Sequence, residues 1–492
     1  MNPPGELILV LDAGTTSTRA LAFDSTGTVR ALAQRPLTQH YPQAGWVEHD
    51  ASEIWAATLD CGREVVIQSG GADRFAAIGI ANQRETVIAW DKSSGEPLHH
   101  ALVWQDRRTA EFCASLKLAG HEAEVQNMTG LLLDPYFSAS KMRWMLDNVP
   151  AVRGAAEAGR LAVGTVESWL VFKLTGGLFI TDATNASRTS LLPLAAQGWD
   201  TGLCDLFGVP KAALAEVTDN ATLFGHSLAE HFGAPMAITG MAGDQQAATI
   251  GQGCLLPGQT KATYGTGAFV LTNAGKAPPR SQRRLLGTVL TQLSGERSYA
   301  LEGSVFVAGS LIQWLRDSLG LIASSAETEQ LARSVESSGG VVIVPALSGL
   351  GAPHWRPDAR GLITGLTFAA TRAHLARAAL EAMACQTYDL AEAFAGDGAK
   401  WEMLRIDGGM SANNWMAQDL ANILALPVER PDMVETTALG AGMLAALGAG
   451  RFDTLDEAAA AMRSASEQFL PAMDESVRGT RLAQWRKALA AV

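Results

Sequence analysis

Short apolar runs bounded by glycine and aspartate alternate along this chain with longer stretches whose apolar residues recur at helical spacing. LILVL (7–11), FAAIGIAN (75–82) and LRIDGG (404–409) read as buried strands bounded by glycine and aspartate, the first two because an apolar run of that length suits a strand covered on both faces. SEIWAATLDCGREVVIQ (52–68) and RAHLARAALEAMACQTYDLAEAF (372–394) read as amphipathic helices. Strands alternating with helices predict an α/β chain, its sheets covered by helices.

The pattern also repeats. A strand, DAGTTS (12–17) and a second strand open the chain, and TKATYGTGAFVLTNAG (260–275) echoes that design about half the chain later. Two related halves would each open with a glycine-bearing hairpin, and the boundary is placed between 252 and 255. Glycine and hydroxyl residues after a strand let backbone N–H groups approach phosphate oxygens. The Lys-Ser/Thr pair of a P-loop is missing, and no helix follows. On its own the first hairpin reads equally well as an ordinary turn with its hydroxyls in solvent.

Length and charge narrow the choice. At 492 residues the chain exceeds one core and predicts two domains. A net charge of −12 argues against a nucleic-acid partner, but not against ATP at a site supplying its own donors. Five widely spaced cysteines without a CxxC pair suggest reduced thiols and no metal framework. The start, MNPPGELILVLD, lacks the basic and apolar regions of a signal peptide. The greasiest later stretch, ALGAGMLAALGAG (438–450), is too short for a bilayer. A cytoplasmic protein without stable membrane association is expected.

A series of blocks then carries a resemblance: NQRET (82–86), WQDRRT (104–109), DPYFS (134–138), TDATNASRTSLL (181–192), GMAGDQQ (240–246), YGTGAF (264–269), LEGSVFVAGSLIQW (301–314), GAPHWRPDARG (351–361) and RIDGGMSANN (405–414). In this order, over about residues 7–450, they closely resemble the glycerol branch of the FGGY family of carbohydrate kinases. The resemblance implies an α/β fold of two actin-like (ribonuclease H-like) ATPase domains around a central cleft, spanning 1–252 and 253–492. It implies phosphorylation of glycerol by Mg²⁺-ATP, and a homo-oligomer, dimer or tetramer.

Residue by residue, the resemblance makes Asp244 the general base. The residues alone leave it equally a loop aspartate or a helix N-cap. Arg84, Glu85, Tyr136 and Gln245 match groups that bind the substrate hydroxyls, and Trp104 and Phe269 match its apolar wall. Read singly, Arg84–Glu85 is a surface ion pair and Trp104 is core. Thr15, Thr16, Ser17 and Arg19 match phosphate contacts, and Asp12 the Mg²⁺-associated aspartate. Thr266, Gly309, Gln313, Gly409 and Asn413 match positions around the phosphates and adenosine, and Asn413 also reads as a helix cap. The cleft is expected to close over glycerol and exclude water.

The chain departs from the pattern in places. Ala13 and Thr18 stand where members of the glycerol branch commonly carry Gln and Ser, and Ala13 is expected to remove a polar group beside the phosphate loop. A Gly-Thr-Arg run associated with fructose 1,6-bisphosphate inhibition is missing. His231 reads as a lone surface histidine rather than a phosphorylated one. The 438–448 helix is expected to pack closely beneath the nucleotide, and the tail (454–492) to form two amphipathic helices around Pro471. The rival readings are an FGGY kinase for another polyol or a pentulose, and a nucleotide sensor that has lost catalysis. The second would need Asp12 or Asp244 to be missing.

Overall fold

A computed structural model describes residues 5–356 and 358–492. Met1–Pro4, on which the reading of the N-terminus partly rests, and Pro357 of the GAPHWRPDARG block lie outside them. The opening apolar run forms β1 (Leu7–Ala13), buried along its whole length, followed by β2 (Ser17–Phe23) and β3 (Val29–Pro36). The three pair antiparallel, with Asp12 opposite Arg19. Then come β4 (Phe75–Asn82), β5 (Ala221–His226) and β6 (Ala237–Gly243). The sheet runs β5-β6-β4-β1-β2-β3, with β1, β4 and β6 parallel and β5 an antiparallel edge.

The second half repeats this plan. β7 (Thr260–Tyr264) and β8 (Ala268–Gly275) form the second hairpin, and β9 (Leu286–Leu293) and β10 (Glu296–Val305) continue the meander. β11 (Leu404–Asp407), β12 (Val428–Pro431) and β13 (Ser466–Phe469) complete a sheet ordered β9-β10-β8-β7-β11-β12-β13. Here too the first hairpin strand has parallel neighbours, β11 and then β12, and an antiparallel edge, β13. Two sheets with one connection scheme give the two-domain α/β fold expected from the hairpin echo.

Helices cover the sheets. α1 (Ala51–Gln68) is capped by the Asp50 carboxylate, which accepts from the Ser52 N–H. α2 (Asp244–Gly251) starts directly from β6, and α3 (Gly309–Asp317), α4 (Arg372–Gly396) and α5 (Asn414–Leu424) belong to the second half. α6 (Thr436–Gly448), although it follows β12 of the second half, packs closely on the first sheet among Val10, Phe23, Ala81 and Ile250. A Cβ on Gly440 would stand 1.8 Å from the Ala247 carbonyl oxygen, so α2 and α6 meet backbone to backbone.

The tail contains α7 (Leu455–Met462) and α8 (Glu475–Leu489), but β13 intervenes, pairing Phe469 with Val428 of β12. A four-residue edge strand with only Phe469 buried has no period to read, and its partner is distant in sequence. His231 is buried rather than superficial, edge-on to Trp55 and with Nε2 3.1 Å from the Lys173 carbonyl oxygen. All five cysteines are free and buried. Among the described residues no helix is long and apolar enough to cross a membrane.

Candidate active site

The parallel register brings the ends of β1, β4 and β6 side by side, with Ala13 opposite Asn82 and Asn82 opposite Gly243. Beyond those carboxyl ends lie the first hairpin, the Gln83–Arg84–Glu85 segment and Asp244, the place where open α/β sheets present ligands. Asn82 is pinned by the Glu167 and Asn185 side chains. Glu85 then takes a left-handed φ of 61°, a conformation of small cost for a non-glycine residue that aims its side chain inward.

Arg84 and Glu85 are buried, so they are not a surface ion pair. The Arg84 guanidinium reaches Asp244 Oδ1 at 3.3 Å, Glu302 Oε2 at 2.6 Å and the Tyr136 hydroxyl at 3.4 Å. Glu85 Oε1 accepts from Arg188 Nε at 2.6 Å, and Arg188 also reaches Glu302 at 2.9 Å. Burial alone would push Glu302 up, but Arg188 and Arg84 overcome it and hold the carboxyl at about 2. Asp244 is different. Burial pushes it up to about 6, against the opposing pull of Arg84 and Lys261. Its side chain keeps 29% of its surface exposed, facing the cleft.

An aromatic wall stands over this cluster: Trp104 packs edge-on to Tyr136 (5.7 Å) and to Phe269 (5.9 Å) from the second half. The three line a cavity of about 740 Å³ between the halves. The buried ammonium of Lys141 fixes the Tyr136 loop by donating to the carbonyls of Pro135, Tyr136 and Phe137. Sequence reasoning missed Arg188, Glu302 and Lys141. The available signal was a charged residue inside an otherwise apolar or hydroxyl run, as in YALEGSV and NASRTS.

On the donor side, a cavity of about 490 Å³ brings together Gly265, Thr266, Gly309, Gln313, Gly409 and Asn413. Of the double glycine, Gly408 is the one the backbone requires: its φ is 85°, and a Cβ would meet the Tyr264 carbonyl at 2.6 Å. Asn413 also caps α5, its Oδ1 accepting from the Met416 N–H at 3.0 Å. In the first hairpin Thr15 Oγ1 accepts from the Trp104 indole at 2.9 Å, which ties the phosphate turn to the aromatic wall. Thr16 is exposed and Ser17 half-buried.

Arg19 is engaged by Asp12 at 2.8 Å and by Glu435. Ala13 and Thr18 are both buried, Thr18 bonding Thr58, so neither departure from the family pattern faces the cleft. Among the described residues no three His, Cys, Asp or Glu side chains gather to hold a metal. Asp12, with one oxygen on Arg19, fits a Mg²⁺ ion that brings most of its ligands as phosphate and water.

Two duplicated sheets, each built around a glycine-bearing hairpin, define a class, the actin-like α/β proteins. Residues 7–251 match the FGGY family of carbohydrate kinases, N-terminal domain, and residues 260–449 match its C-terminal domain. The chain belongs to the FGGY family of carbohydrate kinases. Within it, the chain is 52% identical to the glycerol kinase of Gluconobacter oxydans over 98% of its length and 95% of that protein. It is 53% identical to the glycerol kinase of Rhodospirillum centenum, covering 98% of this chain and 97% of that one. The crystal structure of Plasmodium falciparum glycerol kinase with ADP superimposes with a TM-score of 0.92 at 34% identity, covering 100% of this chain and 99% of the other.

Proposed function

We propose that this chain transfers the γ-phosphoryl group of ATP to glycerol, giving sn-glycerol 3-phosphate and ADP. The observation that carries the reading is the Arg84–Asp244 pair, 3.3 Å apart at the aligned strand ends beneath the wall of Trp104, Tyr136 and Phe269. It sets a carboxylate, hydrogen-bonding groups and an apolar face around one small space. Asp244 takes the proton from the attacking hydroxyl, a contribution typically of about 10²–10⁴-fold. Arg84, Glu85, Tyr136 and Gln245 bind the hydroxyls, while Trp104 and Phe269 flank the carbon skeleton.

Thr15, Thr16, Ser17 and Thr266 address the phosphates from the two hairpins, with Arg19 adding charge beside Asp12. Gly309, Gln313, Gly409 and Asn413 line the adenosine side. Mg²⁺, associated with Asp12, would neutralise charge on the phosphate oxygens. Positioning and neutralisation are most of what phosphoryl transfer asks of a protein. With ATP as donor the enzyme acts in the cytoplasm, as a dimer or tetramer.

The test is ATP-dependent phosphorylation across a panel of glycerol, other polyols and pentuloses, repeated with Asp244→Asn. Glycerol should be strongly preferred, and the variant should lose nearly all turnover while still binding ATP. Preference for a pentulose would overturn the choice of substrate, and an active Asp244→Asn enzyme the choice of base.

A further inference from the structure

β7 carries a side chain that the roles above leave unused. Lys261 is fully buried, and its Nζ donates to Gln245 Oε1 at 2.6 Å and to Thr263 Oγ1 at 2.9 Å. Charged groups face it from every element packed around it: Asp244 at the start of α2, Asp407 at the end of β11, Arg84 after β4 and Glu302 on β10. Burial draws the ammonium down to about 8, against the pull of Asp407 and Asp244. Asp407 does not need the lysine as a partner, because its Oδ2 already accepts from Gln252 at 2.9 Å and Thr436 at 2.6 Å. Both described hydrogen bonds of Lys261 go instead to neutral oxygens.

An ammonium has three donors and no acceptor. The Gln245 carboxamide must therefore turn its oxygen to Lys261, and its NH₂ group is what remains for the acceptor cavity. We propose that Lys261 is a positioning residue of the acceptor site, locking Gln245 as a donor toward a glycerol hydroxyl oxygen and holding a cation at the residue next to Asp244. A side chain at 261 without a donor would free the amide to flip, and any neutral side chain would remove a cation facing the base. The inference rests on the glycerol reading given above.

The test compares wild type with Lys261→Met, Lys261→Gln and Lys261→Arg, measuring KM for glycerol, ADP affinity, and kcat/KM from pH 5 to 9. Lys261→Met is expected to raise the glycerol KM about tenfold, the loss of one charge-assisted hydrogen bond. ADP affinity should stay within about twofold, because neither Gln245 nor Thr263 lines the nucleotide cavity. Its acid limb should move up by about one pH unit, as a nearby cation is lost. Lys261→Arg, which keeps the charge, should restore the acid limb.

Lys261→Gln can still donate to Gln245, so it should move the limb with little change in KM, and it decides the matter if Lys261→Met does not fold. A folded, ADP-binding Lys261→Met or Lys261→Gln enzyme with the wild-type acid limb overturns the inference. An inactive wild type overturns the glycerol reading and this inference with it, whereas an active wild type with insensitive variants overturns this inference alone.

Discussion

Arg84 stands 3.3 Å from Asp244 but only 2.6 Å from Glu302, and this unequal sharing would leave Asp244 usable as the proposed base. A guanidinium devoted to Asp244 would depress its pKa, whereas burial wins here and raises it to about 6, near the range in which a general base works best. Only the ionised carboxylate accepts a proton, so kcat/KM for glycerol should fall tenfold per pH unit well below pH 6 and flatten above it. The same shift has a cost for the fold. A carboxyl whose pKa rises on folding contributes stability below its unfolded value, near 4, and that contribution is lost as pH rises through 6. Asp244→Asn, neutral throughout, should therefore raise stability at pH 7.5 by about 1–2 kcal/mol after allowing for partial exposure, read as a higher thermal midpoint, but not at pH 4. An unchanged difference between the two pH values would contradict that assignment. Arg188→Met, which leaves the buried Glu85 and Glu302 with one cation fewer, should cost about 3–5 kcal/mol, read as a lower melting temperature with glycerol affinity reduced.

At the scale of elements, the site depends on β6 delivering Asp244 to the first turn of α2, and α2 is held by α6. A Cβ on Gly440 would lie 1.8 Å from the Ala247 carbonyl, so Gly440→Val must push two backbones apart. It should cost about 1–3 kcal/mol and lower kcat more than it weakens ADP binding, because the displaced helix carries the base and not the nucleotide cavity. A variant melting at the wild-type temperature would refute this. The small residues of this helix were legible in the sequence, but not which surface they served, since apolar composition all round α6 carries no direction. The first strand and its hairpin were legible for the opposite reason, an uninterrupted apolar run ending in Asp-Ala-Gly, and Gly265-Thr266-Gly267 marked the second hairpin by its likeness to the first. Edge strand β13 was invisible, because what makes Ser466–Phe469 a strand is its pairing with β12. Likewise Arg84, Glu85 and Tyr136 could be singled out from short blocks, whereas Glu302, which joins Arg84 to Arg188 from the other half, follows only from the way the two sheets meet.

For the whole molecule, that meeting alters how the cleft can move. Around the acceptor cavity the halves are already stitched together. Besides the Glu302 pairs, Thr288 of β9 bonds Ser187 at 3.0 Å and Gln246 at 3.0 Å, the Gln292 N–H donates to Asn220 at 2.7 Å, and Tyr299 and Arg297 both donate to the Leu194 carbonyl. Most of these groups are buried, and opening the cleft there would strip the buried Glu302 carboxylate of both its guanidinium partners, at a cost of several kcal/mol. The nucleotide cavity, by contrast, is lined by the second half alone. Closure over glycerol, as the two-hairpin layout first suggests, therefore has its fixed edge at β9 and β10, and the free edge lies between the two hairpins. Hydrogen exchange should find the β9–β10 amides slow in the free enzyme and unchanged by glycerol. ATP-analogue plus glycerol should slow exchange at residues 12–17 and 264–267, where the proposed phosphate contacts would join the two edges. If glycerol alone slowed β9 and β10 markedly, the stitch would be made by substrate instead of by the fold, and the hinge would have to lie elsewhere.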